Sequence, residues 1–186
     1  MTRLWFVRHG PTHAKFMVGW SDIPADLSDR AAIERLARYL PNAPVVSSDL
    51  IRAVATADAI QEIRPRLEHD PALREINFGD WEMRTFDQDD VHLRAYWETP
   101  GDIAPPNGES WNATSKRVST AVDNYLAQGF SDLILVGHFG MILTQVQRAL
   151  GISAYETFAH RISNLSVTQI TVGPDRWTLE TIDHNP

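Results

Sequence analysis

Two short segments, far apart along the chain, each bring a histidine to the end of an apolar run. Leu4–Val7 leads directly into Arg8 and His9, and Leu133–Val136 leads through one glycine into His138. A short run of consecutive apolar residues is typical of a strand that is buried on both faces. Open sheets of such strands bind ligands just beyond their carboxyl ends. If these two strands are neighbours, both imidazoles lie over the same crevice.

Arginine and histidine gathered at one crevice suit the chemistry of a phosphate ester. The guanidinium groups of Arg8 and Arg52 can bind phosphate through paired hydrogen bonds, and a neutral imidazole can attack phosphorus. Arg52 lies near the start of a predicted helix and off its apolar stripe, so that it can point at the crevice. The helix expected after His138 would offer free backbone N–H groups to the same anion. Positive neighbours would also disfavour a protonated His9 and keep it nucleophilic.

The pattern between these residues predicts alternating strands and helices. Further strands are expected at 44–47, 164–172 and 177–182, and helices at 28–40, 49–63, 86–97, 110–126 and 139–150. Ser28 and Ser110 are suitable N-caps, and Gly151 is a suitable helix stop. We therefore predict an α/β three-layer sandwich, with a mostly parallel central sheet, helices on both faces and a small lid.

The chain of 186 residues is long enough for one domain, so that residues 1–186 are predicted to fold as a unit. Residues 79–111 are rich in proline and glycine and are expected to form the lid. A loop at 11–26 leaves the first strand tip, and such loops often carry function. Within it, Thr12 and Lys15 are close enough to His9 to face the same ligand, although Lys15 could equally be solvated.

Composition excludes several classes of protein. The formal net charge of −7 argues against a nucleic acid or an anionic membrane as partner. The absence of cysteine excludes disulfides and thiolate chemistry and suits a reducing compartment. No stretch of the sequence is apolar over the length of a membrane span. We therefore predict a cytoplasmic protein.

Six blocks of sequence occur in order along the chain. They are Arg8-His9-Gly10 with Thr12, Gly19-Trp20-Ser21-Asp22, Ser47-Ser48-Asp49-Leu50 with Arg52-Ala53 and Thr56-Ala57, Leu73-Arg74-Glu75 with Phe78-Gly79 and Trp81-Glu82, Gly108-Glu109-Ser110, and Val136-Gly137-His138. Together these blocks resemble the histidine phosphatase superfamily, also called the phosphoglycerate mutase-like family. The resemblance covers nearly the whole chain.

The resemblance implies a role for each residue at the crevice. His9 would become a phosphohistidine, and the phosphoryl group would be held by Arg8, Arg52 and His138. Glu75 would protonate the leaving oxygen and then activate the water that frees the enzyme. Glu82 is the competing acid, although it could equally be a salt-bridged loop residue. The predicted substrate-binding residues are Thr12, Lys15, Trp20 and Phe139.

Three positions depart from the family pattern, and all of them concern the entrance to the pocket. The family often has an acidic residue at position 11, asparagine at 15 and glycine at 83, where this chain has Pro11, Lys15 and Met83. Lys15 either replaces the asparagine as a point charge on phosphate or faces water.

These observations predict a phosphomonoester hydrolase that acts through a phosphohistidine on a small-molecule phosphate. The substrate is expected to be similar to α-ribazole phosphate, or the specificity to be broad. A phosphoglycerate would fit poorly, because the expected lid carries five carboxylates that should repel a second anionic group, namely Asp80, Glu82, Asp87, Asp89 and Asp90.

Two alternatives to a hydrolase stay open: a phosphotransferase of the phosphoglycerate mutase type, and a catalytically silent module that binds phosphoesters or a protein. Phosphoryl transfer of the histidine type requires no metal or other cofactor. The four-residue spacing of His9 and His13 could suggest a metal pair, but it falls in a loop and not on a helix. The oligomeric state is not readable from the sequence.

Overall fold

A computed structural model describes residues 1–86 and 89–186 of the chain. Asp87, one of the carboxylates that made the expected lid acidic, lies outside the described residues. Of the helices in the described part, none has both the length and the apolar character needed to cross a bilayer.

A five-stranded sheet forms the middle layer, with the strands in the order β2-β3-β1-β4-β5. The strands are β1 (Thr2–Arg8), β2 (Val45–Ser47), β3 (Asp132–Gly137), β4 (Val167–Val172) and β5 (Trp177–His184). β3 pairs in parallel with both β1 and β2, whereas β4 is antiparallel to its neighbours β1 and β5. The prediction of a mostly parallel central sheet is confirmed, since β4 alone among the described strands runs in the opposite direction.

The two apolar runs singled out in the sequence are paired neighbours. The register of β1 and β3 sets Leu4 beside Leu133 and Arg8 beside Gly137, so that both strands end at the same level. His9 extends the ladder by one step, because its backbone N–H donates to the carbonyl of Gly137 (3.0 Å). The side chains that follow these strands must therefore share one edge of the sheet.

Helices cover both faces of this sheet. They are α1 (Arg30–Tyr39), α2 (Ile51–Gln61), α3 (Val91–Glu98), α4 (Trp111–Leu126), α5 (Phe139–Leu150) and the short α6 (Ala154–Thr157). Alternate side chains of a strand point to opposite faces. Val7 and Val136 accordingly pack with apolar residues of α1 and α2, whereas Phe6 and Leu135 belong to the cluster that contains those of α4 and α5. The three-layer sandwich is confirmed.

Two of the three helix-end predictions are correct. Ser110 caps α4 by accepting from the N–H of Ala113, and Gly151 ends α5 in the left-handed conformation (φ 64°). Ser28 was wrong as the cap of the first helix: the helix begins two residues later, and the Asp29 carboxylate accepts from the N–H of Ala32.

The segment at 79–111 is joined to the loop that follows β1. The Met17 N–H donates to the Arg84 carbonyl (3.0 Å), and the Met83 N–H donates to the Met17 carbonyl (2.8 Å). Met83 has φ 60°, a conformation that favours glycine, which gives the family's glycine at this position a backbone explanation. Trp81 and Tyr96 of the segment are buried in the cluster that contains α4 and α5. The segment is thus packed onto the core, and its action as a lid stays a prediction.

Candidate active site

The two histidines expected to share a crevice lie side by side. Their ring centroids are 5.1 Å apart, with the planes inclined by 59°. His9 is 6% exposed and His138 is fully buried. Each follows one of two adjacent parallel strands, so the prediction that the two strands are neighbours and bring both imidazoles together is confirmed.

The hydrogen bonds of His9 define which ring nitrogen carries the proton. Nδ1 lies 2.7 Å from the carbonyl oxygen of Gly10, which can only accept, so that Nδ1 holds the hydrogen. Nε2 therefore keeps its lone pair, and the Nε–H of Arg52 donates to it (3.3 Å). Burial first, and the charge of Arg52 second, lower the pKa of His9 to about 3. The ring is a neutral imidazole with its nucleophilic nitrogen directed at a cation.

Arg52 is a buried cation whose guanidinium is held by a loop. It is 1% exposed in the first turn of α2. Its Nη1 donates to the carbonyl of Ser21 (2.8 Å) and its Nη2 to that of Gly19 (2.6 Å). Burial lowers its pKa. The sequence argument that Arg52 lies off the apolar stripe and reaches the crevice is confirmed by its contact with His9.

Arg8 reaches the same edge of the sheet from the end of β1. Its Nη1 donates to the carbonyl of Ile162 (2.6 Å), and its Cζ lies 5.4 Å from the ring centroid of Phe139. Its Nε is buried without a partner among the described residues. Buried donors in proteins normally have a hydrogen-bond partner. The Nε–H of Arg8 is therefore available to an anion at the crevice.

Glu75 occupies the N-terminus of α5. One carboxylate oxygen accepts from the N–H groups of Ile76 (3.0 Å) and Met141 (3.2 Å), and the other accepts from that of Gly140 (3.1 Å). The expectation that this helix start offers free N–H groups to the substrate anion is wrong for two of them, because Glu75 accepts from Gly140 and Met141. The side chain is 7% exposed, beside the helix that His138 begins.

The backbone of Glu75 is fixed by two further side chains. Its carbonyl accepts from the indole of Trp20 (2.8 Å) and from Nη2 of Arg117 (3.0 Å). Arg117 is anchored in turn by an ion pair with Glu109 (2.7 Å). The Trp20 ring packs under the guanidinium of Arg74, at 4.7 Å. Sequence reasoning missed Arg117; the Gly108-Glu109-Ser110 block, which had been given no role, was the available signal.

Glu82, the competing acid, is engaged in hydrogen bonds that hold the surrounding backbone. Its carboxylate accepts from the backbone N–H groups of Gly19, Trp20, Ser21 and Phe78 and from the hydroxyl of Ser21. The loop at 19–21 thus gives its N–H groups to Glu82 and two of its carbonyls to Arg52. This arrangement favours Glu75 as the proton donor and makes Glu82 a support for Arg52.

Replacing Glu82 by glutamine should weaken both the fold and the site. The amide would set N–H donors against the N–H groups of the 19–21 loop, so that we expect the free energy of unfolding to fall by about 1–3 kcal/mol. Because the loop also holds Arg52, kcat/KM should fall for every phosphate ester tested. Urea unfolding and steady-state kinetics measure the two effects. Asp80→Asn is the matched control, since Asp80 is nearby and contacts the exposed Asn107; an equal loss in both variants would contradict the assignment.

The four predicted substrate-binding residues differ in their contacts and exposure. Thr12 Oγ1 accepts from the N–H of Ala14 (3.3 Å), and Lys15 is exposed, with no hydrogen bond among the described residues. Phe139 lies beside Arg8 at the start of α5. Trp20 supports Glu75 and Arg74. Contact of any of the four with substrate stays a prediction.

Two further residues position His9, and sequence reasoning gave neither of them this role, although Thr56 belongs to the third sequence block. The Asn164 amide donates to the His9 carbonyl (2.8 Å), and the Thr56 hydroxyl accepts from the N–H of Gly10 (3.0 Å). Asn164 had been placed in a strand, but β4 begins only at Val167. His13, the other half of the metal alternative, lies 2.8 Å from Asp26.

The buried neutral histidines should make the protein sensitive to acid. Between the ordinary histidine pKa of 6.5 and the folded pKa of His9 near 3, the unfolded chain binds a proton that the folded chain does not. Stability must therefore fall as the pH is lowered through this interval, by about 1.4 kcal/mol per pH unit for one such group. Between about pH 7.5 and about pH 5, His9→Asn should lose about 2 kcal/mol less than the wild type in urea unfolding. The same loss in both proteins would contradict this.

One family model, two related sequences and one solved structure bear on this site. The model of the histidine phosphatase superfamily (branch 1) matches residues 4–185. An adenosylcobalamin/alpha-ribazole phosphatase of Salmonella typhimurium is 34% identical over 174 residues, which cover 86% of this chain and 85% of that protein. A Salmonella paratyphi C protein that bears the name Probable phosphoglycerate mutase GpmB is 30% identical over 190 residues, 95% of this chain and 88% of its own. The crystal structure of the alpha-ribazole phosphatase from Shigella flexneri has a TM-score of 0.82 at 25% identity and covers 99% of this chain and 97% of that chain.

A neutral, buried imidazole among guanidinium groups, at the carboxyl edge of an α/β sheet, is suited to moving a phosphoryl group. The molecule is therefore a phosphoryl-transfer enzyme. The family match spans almost the full length, and the chain belongs to the histidine phosphatase superfamily. Of the three relatives, two bear the name of alpha-ribazole phosphatase and one that of a probable phosphoglycerate mutase. The resemblance predicted from the six blocks is confirmed.

Proposed function

We propose that this phosphatase hydrolyses a small-molecule phosphate monoester through a phosphohistidine on His9. The observation that carries the proposal is the state of that ring: buried, neutral, protonated on Nδ1, with the Nε2 lone pair beside Arg52. A histidine held in this way is ready to attack phosphorus without first losing a proton.

In the first step, the Nε–H of Arg52 leaves Nε2 of His9 and turns to the phosphoryl group. The freed lone pair of Nε2 forms a bond to phosphorus while the bond from phosphorus to the leaving oxygen breaks. The charge of the non-bridging oxygens is neutralised by Arg8 and Arg52, while the neutral His138 binds them by a hydrogen bond, and a protonated Glu75 gives its proton to the leaving oxygen. In the second step, Glu75 takes a proton from water as the water oxygen attacks phosphorus and the bond from phosphorus to Nε2 of His9 breaks. Phosphate leaves, and His9 returns to its neutral form.

The relatives suggest the class of substrate. Two of the three are alpha-ribazole phosphatases, so we propose a monoester similar to α-ribazole 5′-phosphate, with broad specificity as the wider form of the same proposal. The acidic-lid argument against phosphoglycerate is weaker than the sequence suggested. Glu82 is engaged with the 19–21 loop, and Asp90 caps α3 by accepting from the N–H groups of His92 and Leu93. The mutase alternative is therefore left to experiment.

We propose the remaining sequence expectations on the same footing. Residues 1–186 would form one domain, which is supported by two apolar clusters packed on the two faces of a single sheet. Residues 79–111 would act as its lid, and the enzyme would work in the cytoplasm, without a metal.

The test has two parts. After incubation with a ³²P-labelled ester and rapid quenching, the label should be acid-labile and alkali-stable, as a phosphohistidine is, and absent from His9→Ala. A panel of α-ribazole 5′-phosphate, p-nitrophenyl phosphate and 3-phosphoglycerate, with and without chelator, then ranks substrates by kcat/KM. An acid-stable label would contradict the intermediate. Conversion of 3-phosphoglycerate into 2-phosphoglycerate faster than phosphate release would favour the mutase, and turnover abolished by chelator would require a metal.

A further inference from the structure

Ser48 forms a hydrogen bond with His138, the second histidine of the site. Its Oγ lies 2.6 Å from Nε2 of His138, and both side chains are fully buried. Ser48 directly follows β2 and His138 directly follows β3. The N–H of Ser48 donates to the carbonyl of Val136 (3.1 Å) and so continues the pairing of these two strands. The contact is therefore fixed by the sheet and not by a mobile loop.

The direction of the hydrogen bond between Ser48 and His138 follows from the number of hydrogens that the Ser48 hydroxyl can donate and accept. The backbone N–H of Leu50 already donates to Ser48 Oγ (3.3 Å), and the hydroxyl has one proton of its own to give. Among the described residues, its hydrogen-bonded acceptor is His138 Nε2. If Nε2 donated instead, the hydroxyl proton would be left buried without an acceptor, which is costly. Nε2 thus accepts, and a neutral His138 must carry its hydrogen on Nδ1.

The other ring nitrogen has no partner. Nδ1 of His138 is buried and makes no hydrogen bond among the described residues. Buried donors without partners are rare, and one at a functional site calls for an explanation. The His138 ring stands next to that of His9, at a centroid distance of 5.1 Å. A phosphoryl oxygen bound to or approaching His9 would supply the acceptor that this N–H lacks.

Neutrality of the ring makes the choice of tautomer decisive. Burial, and next the charge of Arg52, hold the pKa of His138 well below its usual range. A protonated ring would present a hydrogen on both nitrogens whatever Ser48 did. A neutral ring presents either a donor or a lone pair to the anion, depending on where its one hydrogen lies.

We propose that Ser48 is a positioning residue, whose hydroxyl donates to His138 Nε2 and thereby holds the Nδ1–H of His138 toward the phosphoryl group. The inference rests on the proposed function in one respect, that the anion bound beside His9 is a phosphoryl group. Without the Ser48 hydroxyl, the ring populates the tautomer that directs a lone pair at the anion. Residues that orient a metal-ligating histidine are typically worth about 10- to 100-fold in activity, and we expect a loss of the same order here.

The test compares Ser48→Ala with Ser47→Ala. Ser47 is equally buried, but its hydroxyl contacts Arg66 (2.8 Å) and His69 (3.4 Å) and not His138. In ¹⁵N-histidine NMR spectra of the wild type, His138 should show a protonated Nδ1 and an unprotonated Nε2, and its Nδ1–H signal should move when inorganic phosphate is added. In Ser48→Ala the tautomers should mix, phosphate binding should weaken and kcat/KM should fall about 10- to 100-fold. Ser47→Ala should keep the wild-type tautomer, and Ser48→Thr, which restores a hydroxyl, should recover the Nδ1–H form.

A wild-type spectrum with the hydrogen on Nε2 would overturn the inference, even if neither alanine variant folds. So would a Ser48→Ala protein that keeps the wild-type tautomer and full activity. The tautomer and phosphate measurements need no turnover. If they behave as expected while no phosphohistidine forms on His9, the proposed function fails and the role of Ser48 stands.

Discussion

His9→Ala should lose phosphatase activity by roughly 10⁴- to 10⁶-fold in kcat, the loss that follows when a catalytic nucleophile is removed. The substitution deletes the nitrogen that, in the proposed mechanism, forms the bond to phosphorus. The cations that bind the anion remain. Arg52 in particular keeps its two bonds to the 19–21 loop, so that we expect inorganic phosphate to bind with little change in affinity. Kinetics with p-nitrophenyl phosphate and calorimetry with phosphate separate the two effects.

His13→Ala is the matched control for this prediction. His13 follows His9 by four residues but is exposed and paired with Asp26 (2.8 Å), so that its loss should leave kcat nearly unchanged. Residual activity of a few per cent in His9→Ala would contradict the role of nucleophile. A drop in both variants would point instead to the 11–26 loop.

The sequence was sufficient to predict the centre of the site, because that centre follows from strand order. Two apolar runs that each lead to a histidine bring the two side chains to one edge of the sheet once the strands pair in parallel. The pairing also sets Arg8 beside Gly137. Arg52 was predictable for a similar reason, since one turn of helix fixes which residues face away from the apolar stripe. Both predictions need only the spacing of apolar residues along the chain.

The support around the centre could not be predicted, because it depends on contacts between residues far apart in sequence. Glu75 meets the N–H groups of Gly140 and Met141 more than sixty positions away. That contact requires glycine at 140, where a Cβ would lie 2.5 Å from a carboxylate oxygen of Glu75. Nothing local in either segment indicates that the helix N-terminus is already occupied. A structural role for Glu82 was open from the sequence, but its partners in the 19–21 loop, again more than sixty positions away, could not be predicted.

Glu75→Gln should discriminate between substrates according to their leaving groups. An alkyl phosphate needs a proton on its leaving oxygen, so we expect kcat/KM to fall by about 10²- to 10⁴-fold, the usual contribution of a general acid. p-Nitrophenolate leaves without a proton, and kcat/KM for its ester should fall far less. The water step loses its base in either case, so that p-nitrophenol should appear in a burst equal to the enzyme concentration. Rapid-mixing kinetics on both esters measure these quantities.

The pattern of losses separates this role from a structural one. If Glu75 only stabilised the start of α5, both esters would lose kcat/KM by the same factor, as we expect for Glu82→Gln, which acts through the loop that holds Arg52. Unchanged kinetics on the alkyl ester would remove Glu75 from the mechanism. A leaving-group dependence in Glu75→Gln, together with its absence in Glu82→Gln, assigns proton transfer to one glutamate and support to the other, because only the transferred proton distinguishes the two substrates.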